Sequence, residues 1–422
     1  MPQKFFTFDL RMRRWIILAK KITMARLLIF ILLPIFSSAQ SFVIRGKIID
    51  SGSGEPVIAA TVGVKNSFQG AISNDEGMFQ LSVQKGQAIA ISSMGYKGRE
   101  IPVTEFDSAL TEIRLEPDNQ ILEEVIVTGM PIEELLKKVV RTSKARFNKP
   151  ILLSTYYREF SKLNDKTTKF ADGILDYYVS GKGKTTTDLI VRQSRAARIT
   201  TPDDDFDPDT FMHLQKRIAT NYELSFLEKV LLKGNRHLHY DLSLRSRKTE
   251  QGKDVYVIGI QPKPETTQPL FTGSISFDPE TKIIYAYDLR FADSYKQFSK
   301  QLSILGYKIR LLDQDIRSTY ALVNGHYYLL YSSAGGRVSI FNKRKGLDEV
   351  ISAKSDLITI DFARDAPGYD KNGIYRGKNL YARGNRYSEP FWNKGGAMIM
   401  TAEEEAIIKK LEKEAAQKVP QP

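Results

Sequence analysis

Two histidines stand one residue apart in His237-Leu238-His239. On a strand that spacing puts both imidazoles on one face, which is half of a metal site. A catalytic zinc takes three protein ligands and keeps a position open for water. The chain has four histidines, His213, His237, His239 and His326, and no His-x-x-Glu accompanies the pair. The histidines therefore read as surface residues, with no metal. The densest acidic run, Asp203-Asp204-Asp205-Phe206-Asp207-Pro208-Asp209, would suit calcium, but an EF-hand loop places Gly sixth and Glu twelfth. Counted from Asp203 those positions are Pro208 and Leu214, so the run reads as a solvated loop. Gly181-Lys182-Gly183-Lys184-Thr185 imitates the end of a phosphate-binding loop. The glycine needed five positions before each Gly-Lys pair is replaced by Asp176 or Tyr178, leaving a basic turn. Asp172 and Asp176 are a candidate acid/base pair, but a chain of this size contains such pairs by composition alone, and they fall short of a glycosidase. No Gly-x-Ser-x-Gly elbow occurs, and there is no cysteine for thiol catalysis or disulfides. No catalytic, cofactor-binding or metal-ligating residue is assigned, although sites assembled from distant residues escape this kind of reading.

Charge points to partners rather than to chemistry. Basic stretches at Arg192 to Arg198 and at Asn342-Lys343-Arg344-Lys345 can meet the phosphates of lipid headgroups or lipopolysaccharide; the plainer reading is a solvated face. Of the net charge of +13, residues 1–39 contribute +6 through seven Lys/Arg and one Asp, and +7 remains. An excess of that size is common in soluble proteins.

The N-terminus decides which residues belong to the fold. Lys20, Lys21 and Arg26 precede an apolar run from Leu27 to Phe36, and Ser37-Ser38-Ala39 follows. This is the order of a signal peptide, and the run is too short for a spanning helix. Cleavage after Ala39 is expected, and Met24 opens a shorter leader of the same kind. The export this implies makes nucleic acid a poor partner.

From Phe42 to about Leu115 short β-rich runs are cut by turns. The runs are Phe42–Asp50, Ala60–Lys65, Met78–Val83, Ala88–Ser93 and Arg99–Val103, with Ser51–Pro56 and Asn74–Gly77 as turns. That spacing predicts a small β-sandwich. Within it, Gly54-Glu55-Pro56-Val57, Ala59-Ala60-Thr61-Val62, Asn74-Asp75-Glu76-Gly77-Met78-Phe79 and Ser93-Met94-Gly95-Tyr96 follow Gly46 and Asp50 in order. This succession resembles the carboxypeptidase-regulatory-like domain. The resemblance implies a transthyretin-like fold of the sort found at the front of exported Bacteroidetes proteins, including TonB-dependent nutrient receptors. Ile121–Gly129 is similar to the stretch that follows the domain in those receptors. It could pair with a partner's sheet edge; the plainer reading is a linker strand. Too little chain remains for a plug and the large barrel of that family.

Pro131 to Phe147 reads as a helix. Acids stand early and cations late, and Ile132, Leu135, Leu136, Val139 and Val140 form one stripe that should dock on a sheet. From Leu153 to about Arg364 aromatic and β-branched runs recur, with hairpin signals at Asp278-Pro279-Glu280-Thr281 and Asn324-Gly325. They predict a large antiparallel sheet. Its strand–turn–strand pattern resembles periplasmic lipoprotein-carrier half-barrels, which implies a sheet curled around acyl chains. Phe391-Trp392-Asn393 ends the region, and Thr401-Ala402-Glu403-Glu404 resembles a capping box opening a charged helix to about Gln417. Taken whole, the chain resembles the soluble front part of a group of Bacteroidetes outer-membrane proteins.

The expected fold is thus mainly β. Residues 1–39 are the signal peptide, 40–117 the sandwich, 118–130 a linker, 131–400 a helix plus a large antiparallel β domain, and 401–422 a helix and tail. The expected function is non-catalytic binding or assembly in the periplasm or peripherally at the outer membrane, with an envelope protein as partner. Carriage of an apolar ligand or glycan in the larger sheet and an unrecognised hydrolase remain open beside it.

Overall fold

Alternation of side chains builds the first layer. Phe79, Leu81 and Val83 point inward from Met78–Gln84 while their neighbours face outward, the period-two pattern of a half-buried strand. The computed structural model describes residues 41–417 apart from 66, 68, 94, 107–109, 118–128, 148, 182–184, 199–223, 249–253, 324, 365–367, 378 and 386–397. The leader, most of the 118–130 linker, the Asp203–Asp209 run, His213 and Phe391–Asn393 lie outside the described residues. Every element discussed below lies in one compact unit, Val43–Pro422, except the first two residues of the opening strand.

The sandwich contains β1 (Ser41–Asp50), β2 (Thr61–Val64), β3 (Gly70–Ile72), β4 (Met78–Gln84), β5 (Ala88–Ser92), β6 (Arg99–Pro102) and β7 (Thr111–Leu115). One sheet runs β4-β1-β7 and the other β3-β2-β5-β6. Ile48, Val62, Phe79, Ile91, Ile101 and Ile113 fill the space between them. The Asn74–Gly77 turn is fixed by the Asn74 side chain, whose Oδ1 accepts from the amides of Glu76 (2.9 Å) and Met78 (2.8 Å). Gly77 closes it at φ +76°, where a Cβ would lie 2.3 Å from the Ile48 carbonyl oxygen. Only glycine fits there.

Helix α1 (Ile132–Arg146) buries Leu135, Leu136, Val139 and Val140. It is pinned to the large sheet at Ser143, whose hydroxyl accepts from the Ile284 amide at 2.9 Å. That sheet contains β8 (Ile151–Leu163), β9 (Lys166–Ser180), β10 (Thr186–Arg198), β11 (Tyr240–Lys248), β12 (Asp254–Pro262), β13 (Phe271–Phe277), β14 (Ile284–Phe291), β15 (Gln301–Ile304), β16 (Tyr307–Val323), β17 (His326–Asn342) and β18 (Leu347–Arg364). It is an open eleven-stranded sheet in the order β10-β9-β8-β18-β17-β16-β14-β13-β12-β11, with β15 paired to β16. The Asp278–Thr281 hairpin turn joins β13 to β14 through Asp278 Oδ1, which accepts from the amides of Glu280 and Thr281.

Both faces of this sheet are covered, and strand alternation assigns residues to each. Leu153 and Tyr157 of β8, Leu175 and Tyr177 of β9 and Leu357 of β18 join α1 in the main core. Tyr156 of β8, Ile358 of β18 and Tyr331 of β17 pack instead, with Met398, against Ile72 of the sandwich. Phe160 and Phe170 meet Ile408 of helix α2 (Ala402–Gln417). Aromatic residues on the main-core side fill space rather than line it: Phe147 stacks on Tyr327 at 4.5 Å between ring centroids. Among the described residues no helix is long and apolar enough to cross a membrane.

Candidate functional site

The sheet face beneath the sandwich carries a row of charges set by strand register. Arg195 of β10 stands opposite Asp172 of β9, and Asp172 opposite Arg158 of β8. The row continues through Asp356 of β18, Ser333 of β17, Arg317 of β16 and Asp288 of β14. Charge alternates along it, with Ser333 the single interruption. Opposite charges directly across antiparallel strands attract, and like charges would repel.

The pairs close in hydrogen-bonding geometry. Arg195 donates to Asp172 through Nε at 3.1 Å and Nη2 at 2.8 Å, and Tyr156 donates to the same carboxylate at 3.1 Å. Arg158 is 1% exposed. Its Nε meets Asp356 at 3.0 Å and its Nη1 meets Glu404 of α2 at 3.1 Å. Asp356 also accepts from the Tyr331 hydroxyl at 2.8 Å. Arg317 donates to Asp288 at 2.8 and 2.5 Å, and its Nη1 reaches the sandwich at the Ile58 carbonyl, 3.5 Å away. Lys354 forks onto Asp75 of the sandwich at 2.9 and 2.8 Å.

Burial and pairing set the protonation of these groups. Burial pushes Asp356 up, but Arg158, Lys354 and the Tyr331 hydrogen bond outweigh it and hold the carboxyl below its ordinary range. For Asp172 burial wins over Arg195, and the carboxyl is raised. Burial would lower Arg158, yet Asp356 and Glu404 keep it charged. Asp315 forms no hydrogen bond or ion pair with another described residue. Desolvation within the cleft raises its carboxyl, and Asp313 and Asp288 add to that. Arg290 stands opposite it in register.

Where sandwich meets sheet, a cleft of about 550 Å³ is lined by Asp75, Arg158, Asp315, Arg317, Lys354 and Met398, among others. An adjoining hollow of about 630 Å³ shares Ile58, Ala59, Asp288 and Arg317 with it. A third, of about 440 Å³, shares Asp315 and Lys354. The lining suits a polar, hydrogen-bonding ligand better than an acyl chain.

Several sequence-based expectations change here. Arg195 leaves the solvated basic face to bind the buried Asp172, while Arg192 stays more than half exposed and meets Asp176 through Nε at 2.6 Å. Asp172 and Asp176 are therefore ion-pair partners. Four residues along a strand span about 13 Å, beyond the separation glycosidase carboxylates need. His237 and His239 lie in a 3-10 segment, Lys233–His239, not on a strand, because Gly234 and Asn235 turn the chain with left-handed backbone. His237 is buried rather than superficial, and burial lowers its pKa. His326 lies elsewhere, beside Phe362 at 5.9 Å. No group of three or more metal-ligating side chains occurs among the described residues. Lys182–Lys184 and Ile121–Thr128 lie outside the described residues, and Gly181 follows β9. Arg158, Asp356, Arg317 and Asp288, which make the row, were not singled out from sequence. Their signal was a charged residue inside a long β-rich run, as in Tyr156-Tyr157-Arg158-Glu159-Phe160.

The fold is therefore a small β-sandwich docked on one face of a broad antiparallel sheet. Residues 44–127 match the family model described as a CarboxypepD_reg-like domain, and the sandwich is such a domain. A 99-residue stretch, 24% of the chain, is 40% identical to the TonB-dependent receptor SusC of Bacteroides thetaiotaomicron and covers 9% of it. The chain thus matches under a tenth of the length of that curated relative. Among solved structures, a DUF1329 family protein from Desulfovibrio piger is 10% identical with a TM-score of 0.26, covering 58% of this chain and 99% of that one. A chain described as an outer membrane lipoprotein-sorting protein domain, from Vibrio parahaemolyticus, is 12% identical with a TM-score of 0.27, covering 57% and 96%. A LolA superfamily protein from Nitrosomonas europaea is 11% identical with a TM-score of 0.21, covering 55% and 94%. None of the three superposes closely enough to carry an argument about this chain.

Proposed function

We propose that this is an exported cell-envelope protein that acts by binding or assembly at the outer membrane, not by catalysis. The docked sandwich carries the reading. Asp75 on Lys354, Ile58 on Arg317 and Ile72 against Tyr156 and Tyr331 hold the CarboxypepD_reg-like domain to the sheet. The two parts thereby present one composite surface, as suits a module that seats a partner. The charged groups beneath are mostly spent on one another, which favours rigid positioning over proton transfer. The likeness of a 99-residue stretch to a TonB-dependent receptor supports an envelope partner.

A second reading places a hydroxyl-rich ligand such as a glycan in the cleft, where Asp315 can accept and Arg290 can donate. Pull-down from cell-envelope extract with the chain from Gln40 onward separates the two when protein, lipid and glycan fractions are all analysed by mass spectrometry. A stoichiometric envelope protein supports assembly. Glycan without one moves the function to the cleft. Turnover of envelope material by the purified chain would sink the binding reading.

A further inference from the structure

Strands β15 and β16 form a hairpin closed by Leu305 and Gly306, at φ +50° and +84°. This left-handed pair is the two-residue turn that Asn-Gly or Gly-Gly fits without strain. A leucine at its first position is sterically disfavoured, and Leu305 is 93% exposed. Leu302 and Ile304, on the same hairpin, are also more than half exposed at 58% and 54%. Neither folding nor solubility accounts for three aliphatic side chains at such a tip.

The base beneath is firm. Ile309, Val338, Ile340 and Ile351 form a buried satellite cluster. The turn after β17 lies alongside: a Cβ on Gly306 would sit 3.9 Å from Asn342 Nδ2, and Asn342 caps Lys343–Lys345. Two cations beside the hairpin lie over aromatic rings. Lys308 Nζ lies 5.6 Å from the Phe341 ring and Lys345 Nζ 5.7 Å from the Tyr307 ring. Along the two segments that build this end of the sheet, 300–310 and 341–349, Lys300, Lys308, Arg310, Lys343, Arg344 and Lys345 outnumber the carboxylates Asp348 and Glu349.

We propose that this tip is a membrane-surface anchor, with Leu302, Ile304 and Leu305 entering the headgroup boundary of an anionic phospholipid layer while the surrounding cations meet its phosphates. Aliphatic side chains inside a cationic collar are the combination that binds such surfaces. A two-residue turn offers far less than the roughly 800 Å² a side of a stable protein interface, so a lipid surface fits it better than a protein. The inference rests on the envelope reading and names the surface at which the protein works.

The test is co-sedimentation of the full chain with vesicles of phosphatidylglycerol and phosphatidylcholine, against vesicles of phosphatidylcholine alone. Binding is expected to the anionic vesicles only and to fall with added salt. Leu305→Asn should weaken it about ten-fold without lowering the thermal midpoint, because Asn suits the turn. Lys343→Ala with Arg344→Ala should weaken it and flatten its salt dependence. Equal sedimentation with both vesicle types, or unchanged binding by Leu305→Asn, overturns the anchor. Loss of a captured envelope protein in Leu305→Asn, with no vesicle binding by the wild type, makes the tip a protein contact and also overturns it. Failure of vesicle binding leaves the pull-down free to succeed, so the two readings fail separately.

Discussion

Arg158 and Glu404 are 246 residues apart in the chain and 3.1 Å apart in the fold. Glu404 does two jobs there. Its Oε2 accepts from the Thr401 amide at 2.8 Å while its own amide donates to Thr401 Oγ1 at 3.0 Å, a reciprocal capping box. The same oxygen accepts from the buried guanidinium. One carboxylate thus both starts α2 and ties it to the sheet.

Replacing Glu404 by Gln keeps most of the cap and removes the ion pair, whereas Thr401→Ala removes half of the cap and keeps the pair. Thr401→Ala should cost about 1 kcal/mol. Arg158→Met strands Asp356 and Glu404 together and should cost about 3–5 kcal/mol. Urea unfolding followed by circular dichroism ranks the three; a cost for Arg158→Met no larger than that of the cap would show that the buried pair is dispensable.

Acid should act in opposite senses on the two aspartates that flank Arg158. Asp356 is held below its unfolded value near 3.8, so it stabilises the fold above that pH, and the gain is lost as pH falls through the native pKa. Asp172 is raised, so the native state takes up its proton first and gains relative stability on acidification. Asp356→Asn should therefore flatten the acid-side fall in stability, and Asp172→Asn should steepen it. Unfolding free energies between about pH 3 and pH 6 give the two slopes; slopes that change in the same direction would contradict this assignment.

Ile72 is the apolar peg of the docked sandwich, 1% exposed. Ile72→Ala should cost about 2–5 kcal/mol, spent on docking rather than on either core. Calorimetry should turn one cooperative transition into two, with limited proteolysis appearing first at the junction. A single transition displaced as a whole would mean that Ile72 stabilises the sandwich itself.

Gly273 sits at φ +149°, and a Cβ there would lie 1.9 Å from the Asp288 carbonyl oxygen. Backbone stands in the way, so Gly273→Ala should cost about 3 kcal/mol or more. Gly346, at φ +63° with open space around it, supplies the control: Gly346→Ala should cost about 1 kcal/mol. Thermal midpoints of the two variants decide whether close approach or φ alone matters here.

Much of this was legible in the residues. Period-two alternation marked β4, aromatic and β-branched runs marked β12 and β14, the Asp278–Thr281 turn announced its hairpin, and acids before cations oriented α1. The Thr401–Glu404 pattern announced a cap that the structure contains. Strand β3 escaped because three residues are too few to show a period, although its Ile72 makes the docking contact. The alternation of His237 and His239 suggests a strand only when the Gly234-Asn235 turn signal just before it is passed over; both of those residues take left-handed backbone.

Local chemistry is written in the sequence because turn geometry, caps and alternation depend on neighbours a few residues apart. For this chain that settled the mainly β class, the sandwich with its domain likeness, and both long helices. Register is different: Arg158 meets Asp356 only because β8 pairs with β18 at one offset, and a slip of one residue would turn every charge in the row to the other face. That offset is decided by burial on both faces of the sheet at once. The charged row, the seat of the sandwich upon it and the exposed tip at Leu305 were therefore decided by tertiary structure.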